Sequence, residues 1–521
     1  MRIVMFFLFH FIFCTANAAN YFVSNSGDDN NSGTTTDAAW KTLVKVQIAG
    51  NSGIIKAGDC ILFKKGETFT GILKWTTIWG QHCASGTALQ PITFAGYGSG
   101  ANPIFYYPVA DKAIAENRVL MLFSGVDYIV IDGLDFTDND RRNDKITSAN
   151  CGIPIYLGTI GEATTNYCNI KNVNISFCGM GLVIVGDHNT LRYSNLTDFK
   201  NLKSTPNTGG SSAYEDYGAN AITITGNDNE ISHNYINGAW AESMDFGWNG
   251  GACEMYNNCS RNKLLYNTIV DCGGVAEFGA QQAGAISADN LFSFNKIINC
   301  GTLTYCNLSG EFAVQAYNVQ YFYNTIVENS DSRFSGPNTG RGITSPGPLS
   351  IIKPDSELFA YNGKSEADIV FNLRNNIFLL STGIAIARKS NDPLKYSHEK
   401  NVYRLLSGSV TPYALNESEL MATGPVFQNT NATDPQLWNY QPTHETKGII
   451  AGADAKPFSA GIQALLAIIS IDAIFEFISG DKKLNFDLSK NSIIATINIL
   501  FKLAEIFLNC TQPFIIFDRA A

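Results

Sequence analysis

Three segments of this chain share one frame, in which asparagines bracket four residues. They are Asn229-Glu-Ile-Ser-His-Asn234, Asn262-Lys-Leu-Leu-Tyr-Asn267 and Asn290-Leu-Phe-Ser-Phe-Asn295. Asn189-Thr-Leu-Arg-Tyr-Ser-Asn195 and Asn318-Val-Gln-Tyr-Phe-Tyr-Asn324 carry one residue more. A short apolar run follows each, and the second asparagines are spaced by 39, 33, 28 and 29 residues. Self-similarity at such a period marks a solenoid or an array. The units hold short strands of period two rather than ten-residue helical stripes, so the expected class is all-β. One repeat per coil fits a right-handed parallel β-helix, whose equivalent side chains stack about 4.8 Å apart. Stacked Ile, Val, Phe and Cys then form the core, and a turn asparagine can bond the asparagines above and below it. A propeller or sandwich would need antiparallel hairpin turns, and Asn-Gly or Asp-Gly pairs placed for them are few.

Composition agrees with coils and polar turns. Charged residues make up 16% of the 521 positions, against about 25% in an average soluble domain. That shortage, with 46 Gly, excludes a coiled coil, a helical bundle and a charge-rich disordered chain. The net charge of −10 comes without a basic stripe, so nucleic acid is not an expected partner. Neither CxxC nor HExxH spacing occurs, so no metal site of those kinds is expected. A length prior of roughly 150 residues per domain would give two to four domains. The repeat predicts instead a single solenoid, expected to be monomeric.

The ends differ from the middle. Residues 1–18 read as a signal peptide: Met1-Arg2, an apolar run from Ile3 to Cys14, and the cleavage signal Ala16-Asn-Ala18. The expected location is therefore secreted: extracellular, or periplasmic or cell-surface in a bacterium. Residues 19–461 form the expected β-helix domain, with a Pro-rich interruption over 334–355. From Ile462 the composition changes. Ile462–Ile478 and Ile493–Leu508 are apolar segments of 17 and 16 residues, shorter than the roughly 20 a membrane helix needs. The reading for 462–521 is a helical C-terminal extension, with no stable membrane span expected. Cys178, Cys272 and Cys300, each followed by Gly in a repeated context, predict an inward column of buried thiols; pairs such as Cys253–Cys259 or Cys300–Cys306 remain open.

The opening Tyr21-Phe-Val-Ser-Asn-Ser-Gly27 with Ala39-Trp-Lys-Thr-Leu43, then Ala57-Gly-Asp-Cys-Ile-Leu-Phe63, Pro91-Ile-Thr-Phe-Ala-Gly-Tyr-Gly98 and Val126-Asp-Tyr-Ile-Val-Ile-Asp-Gly133, resembles secreted pectate-lyase-like β-helix proteins. The resemblance spans about residues 20 to 462. It implies a right-handed parallel β-helix and a polysaccharide partner. It supplies no catalytic residue, because that superfamily includes lyases, hydrolases, epimerases and adhesins.

The chemistry must come from a constellation, and Trp240 to Tyr256 with the following coils is the richest segment. Aligning Ala252-Cys-Glu-Met-Tyr256 with Val275-Ala-Glu-Phe-Gly279 and Gly310-Glu-Phe-Ala313 puts Glu254, Glu277 and Glu311 in one column, held earlier by Val183 and Thr223. Stacked like charges need a reason. A retaining glycosidase holds two carboxyls about 5–5.5 Å apart, close to the coil rise. Calcium is the other reason, since it takes carboxylate oxygens. The expected catalytic residues are Glu254, Glu277 and Asp245. Trp248, Glu311, Arg261 and Lys263 are the expected substrate-binding residues; Arg261 and Lys263 double as base candidates for a lyase, beside His233, whose place in the repeat points rather to packing. Pectate-lyase-like β-elimination on a uronate-containing glycan, hydrolysis by the Glu254/Glu277 pair, and a non-catalytic glycan-binding module are the three readings. No cofactor is required, and calcium is open.

Overall fold

The structure is a computed structural model. It describes residues 18–446, except 107–118, 138–151, 200–217, 244–246, 301, 311, 329–334, 338–347, 351–356, 364–367, 381–384, 388–394, 406–413, 431–434, 438 and 444–445. The signal-peptide reading, Ala18 aside, the closing turn expected over 448–461 and the helical extension expected over 462–521 lie outside the described residues. The described ones belong to the unit Met1–Gly452.

Three long sheets run side by side along the chain. Among the described residues, sheet A has twelve strands beginning with Asn20–Val23, sheet B twelve beginning with Thr68–Thr70, and sheet C ten beginning with Leu73–Thr76. Every pairing inside them is parallel, and each coil from Cys60 to Ala387 lends one strand to each sheet. The coil of Lys263–Leu265 (A), Thr268–Val270 (B) and Gly274–Gly279 (C) stacks beneath Leu291–Ser293, Lys296–Ile298 and Thr302–Cys306. The architecture is a parallel β-helix. The one α-helix among the described residues, Leu43–Asn51, is N-capped by the Thr42 hydroxyl accepting from Lys45 N. Leu43, Val46 and Ala49 bury the helix's apolar side. Small antiparallel pairs project elsewhere, including Ala241–Ser243 with Gly247–Asn249, and Ser335–Pro337 with Pro348–Ser350 inside the expected Pro-rich interruption. No described helix is long and apolar enough to cross a membrane.

Alternation along each strand makes the core. In sheet C, Ile222, Cys253 and Ala276 stack in one inward row, and Ile224, Met255, Phe278 and Cys306 in the next, all buried. Each fully buried Ile, Met or Phe contributes roughly 1.5–3 kcal/mol. Cys178, Cys272 and Cys300 are buried free thiols as expected, and no described cysteine is in a disulfide. Cys253–Cys259 and Cys300–Cys306 are thus unpaired by disulfides.

Turns from sheet A to sheet B use one residue in the left-handed region: His233, Tyr266, Phe294 and Tyr323 have φ of 57–58°. No Val, Ile or Thr occupies such a position anywhere in the described chain, as their branched Cβ requires. The rings stack: Tyr266 on Phe294 at 4.9 Å and Phe294 on Tyr323 at 5.2 Å between centroids. His233 is packed between Tyr193 and Tyr266.

The residue after each of these turns is the second asparagine of the repeat. Asn267 Oδ1 accepts from the amide N and Nδ2 of Asn234 at 3.0 and 3.1 Å, and Asn267 Nδ2 donates to Ile231 O and Asn295 Oδ1. The same pattern continues through Asn324 and Asn376 to Asn401, whose Nδ2 donates to Glu419 Oε1. A parallel ladder of first asparagines runs from Asn189 through Asn229 and Asn262 to Asn290. From Asn262 and Asn267 onward each ladder amide uses both hydrogens and both lone pairs, so its burial leaves no polar atom unpaired. The two longer repeats each fill one ladder only: Ser194 takes the slot expected for Asn195, and Val319 follows Asn318 in the slot of the first asparagine.

Candidate active site

The outward face of sheet C carries one row across the coils: Lys74, Leu122, Tyr156, Val183, Thr223, Glu254, Glu277, Tyr305 and Ala360. Register places Glu254 directly opposite Glu277 on adjacent rungs, about 4.8 Å apart at the backbone. Glu254 stands between inward Cys253 and Met255, and Glu277 between inward Ala276 and Phe278. The buried neighbours fix both backbones, and the glutamates point the other way.

The two carboxyls differ in surroundings. Glu254 is half-buried; its Oε2 accepts from Asn220 Nδ2 at 2.8 Å and Thr223 Oγ1 at 3.3 Å. Glu277 is exposed, and its Oε1 accepts from Asn307 Nδ2 at 2.9 Å. Asn307 is held in turn by Asn362 Nδ2, while Asn362 Oδ1 accepts from the amides of Leu308 and Ser309. Burial pushes the Glu254 carboxyl up to about 7, the nearby charge of Glu277 adds to it, and the Thr223 and Asn220 bonds oppose it. Protein packed around part of the Glu277 carboxyl raises it as well, against the Asn307 bond, although the side chain as a whole stays exposed. Water reaches Glu277 more freely than Glu254, so Glu254 is the member that holds a proton near neutrality.

Sequence reasoning brought the pair together correctly and misplaced its neighbours. The rung after Glu277 is Tyr305, from Thr302–Cys306, not Glu311; Glu311 itself lies outside the described residues. The cysteine repeat carried the missed signal. Tyr305 follows Cys300 by five residues, as Glu277 follows Cys272 and Val183 follows Cys178. Arg261 and Lys263 do not join the site. The chain turns a corner at Asn257–Ser260, so Arg261 enters and Lys263 begins the sheet A strand Lys263–Leu265. There Arg261 makes a bidentate bond to Asp228 at 2.9 and 2.7 Å, and Lys263 stands opposite Glu230. Asp245 lies outside the described residues. Trp248 is on Gly247–Asn249, opposite Glu242 in the small antiparallel pair that precedes the Glu254 strand.

Asn220, Asn307, Asn362 and Tyr305 are site residues that the sequence pattern did not single out. The two asparagines on the carboxylates flank strands rather than sit in them, and asparagine is too common here for one position to stand out. Among the described residues no group of three His, Cys, Asp or Glu side chains could hold a metal ion. Calcium wants six to eight oxygens, of which the described carboxylates at this place supply those of Glu254 and Glu277. A shallow depression of about 390 Å³ lies on the A–B edge instead, lined by Tyr193, Asn195, His233, Tyr235, Tyr266 and Thr268 among others.

No protein-family profile matches the chain. No curated protein matches it either. Among solved structures, it is similar to a GH136 lacto-N-biosidase from Eubacterium ramulus at 15% identity and TM-score 0.41, over 74% of this chain and 68% of that one. An alginate lyase from Paenibacillus sp. is similar at 15% identity and TM-score 0.38, over 73% and 96%. Pectate lyase Pel9A follows at 13% identity and TM-score 0.40, over 77% and 79%.

Proposed function

We propose that the protein is a carbohydrate-active enzyme that hydrolyses a glycosidic bond with retention, using Glu254 as acid and base and Glu277 as nucleophile. The supporting observation is the pair itself: two glutamates on adjacent outward rungs, of which the half-buried Glu254 is driven to about 7. That spacing is of the order retaining enzymes use. Glu277 carboxylate attacks the anomeric carbon while Glu254 gives its proton to the departing glycosidic oxygen. Glu254, now ionised, takes a proton from water; that water attacks the anomeric carbon and releases Glu277. The nearby negative charge of Glu277 raises the Glu254 carboxyl in the first step, and its loss in the glycosyl ester lets Glu254 act as base in the second.

β-Elimination on a uronate needs a cation or base beside the substrate carboxylate. Of the candidates, Arg261 and Lys263 are on sheet A and His233 is packed between Tyr193 and Tyr266, and the described outward row next to the pair is Val183, Thr223 and Tyr305. A polysaccharide panel digest, with reducing ends and ultraviolet absorbance read together, separates the reactions. Hydrolysis predicts reducing ends without the absorbance of unsaturated products. Absorbing products reverse the assignment, and binding without cleavage leaves a glycan-binding module.

A further inference from the structure

The rung on the far side of Glu277 from Glu254 is Tyr305. It is half-buried on the outward face, and its side chain makes no hydrogen bond or ring contact with a described residue. This is unlike most large aromatics of the chain, which are buried or stacked on one another. Two residues along the strand from Glu277, Gly279 carries no side chain. A Cβ there would meet Tyr256 Cε2 at 3.5 Å and the Asn307 Nδ2 at 3.6 Å. A second tyrosine, Tyr256, and the Asn307 amide thus lie over Gly279, next to the Glu277 carboxylate that Asn307 bonds. An aromatic ring, an amide and a carboxylate side by side on one outward face match what a pyranose offers: an apolar ring face and a rim of hydroxyls.

We propose that Tyr305 and Asn307 form the sugar subsite on the Glu277 side of the scissile bond, and that the sugar held there is uncharged. The inference rests on the glycosidase reading of the Glu254/Glu277 pair and extends it to substrate class. The glycan runs along the outward row, from coil to coil, with the Tyr305 ring beneath one sugar. A uronate in that place would set its carboxylate beside Glu277 with no described lysine or arginine on the flanking rungs to offset it. Asn307 both donates to Glu277 and lies within reach of the same sugar, so it is a positioning residue as well as a lining one.

The test uses the full mature chain carrying Glu254→Gln, which binds without turning over. Cellohexaose, xylohexaose, mannohexaose and hexagalacturonate are titrated calorimetrically. At least one neutral hexaose binds, and hexagalacturonate binds at least tenfold more weakly. Adding Tyr305→Ala weakens the neutral probe about tenfold, whereas Tyr305→Phe stays within about twofold, since a ring face and not the hydroxyl is used. In the otherwise native enzyme, Tyr305→Ala raises KM and leaves the basic limb of the pH profile in place, which a general loss of structure would not do. Unchanged binding in Tyr305→Ala, or equal loss in Tyr305→Phe, overturns the platform. Hexagalacturonate binding as tightly as the neutral probes overturns the substrate class. Failure of all four to bind overturns the carbohydrate reading beneath both.

Discussion

Along the A–B edge identical asparagines stack rung upon rung, and on the face of sheet C identical glutamates do the same for two rungs. An amide carries donor and acceptor together, so each asparagine completes its neighbour and the column can run buried from Asn234 to Asn401. An ionised carboxylate only accepts. Glu254 and Glu277 cannot bond one another unless one keeps a proton, and each instead draws on an asparagine from outside the row, Asn220 or Asn307. The same geometry that makes the ladder stable makes the pair strained. Stacking of like residues is thus a structural device when the group complements itself and a mark of function when it does not.

The largest expected effect is on activity. Replacing both Glu254 and Glu277 by Gln turns the charged pair into two more self-complementary amides, and hydrolysis falls on the order of a thousandfold or more, while circular dichroism and melting stay those of a folded β-helix. Retained turnover in a panel digest would break the assignment of function to the pair.

The converse change puts a carboxylate into the ladder. Asn267→Asp removes the donors to Ile231 O and Asn295 Oδ1 and buries a charge among amides. The expected loss is about 3–4 kcal/mol at pH 7, read from urea midpoints, and it shrinks at pH 4 as the carboxyl takes up a proton. Asn267→Ala costs about 2–3 kcal/mol at any pH, leaving the donors of Asn234 without their acceptor. If Asp were no worse than Ala at pH 7, the contrast between the two columns would fail.

Glu254→Gln alone should stabilise. The folded carboxyl is raised from 4.5 to about 7, so between those values the folded state binds more protons than the unfolded one. Stability therefore falls as pH rises across that window, and the whole penalty stands above it. Because the group is half-buried, the penalty is discounted to about 2 kcal/mol. Glu254→Gln should exceed the parent by that amount at pH 8 and match it at pH 4. Activity of the parent should decline above about pH 7, where the acid loses its proton.

How much of this was readable from sequence follows from the same contrast. The ladders were legible because asparagine recurs at both ends of a fixed frame, so one pattern reported two columns at once. Their exceptions, Ser194 and Val319, fall in the repeats that are one residue too long. The Glu254/Glu277 pair was legible because each glutamate is bracketed by inward residues, Cys253 and Met255 or Ala276 and Phe278, that fix its face. Tyr305 was hidden by the choice of Gly310–Ala313 as the next strand, where a glutamate attracted the alignment and the five-residue distance from Cys300 was passed over. Asn220 and Asn307 were illegible for a physical reason: they reach the carboxylates from strand ends, where no periodicity constrains them. Arg261 and Lys263 flank the first asparagine of a repeat, Asn262, and so belong to sheet A: the coil turns a corner within the seven to nine residues that separate them from Glu254.

The smallest effect belongs to that corner. Arg261 and Asp228 are 55% and 31% exposed in their side chains, with the ion pair at 2.7 Å. Its guanidinium holds the Asp228 carboxyl below the usual range, yet an exposed pair of this kind is worth only about 0.2–1 kcal/mol. Arg261→Ala should therefore lower stability within that span, less so in high salt, and leave kcat and KM on any cleaved glycan unchanged. Lys263→Ala, opposite Glu230 on the same sheet, should do the same. A lyase that drew its base from either residue would lose turnover by orders of magnitude while melting unchanged. That outcome would move the chemistry from the outward face of sheet C to sheet A and reduce the glutamate pair to a strained surface feature.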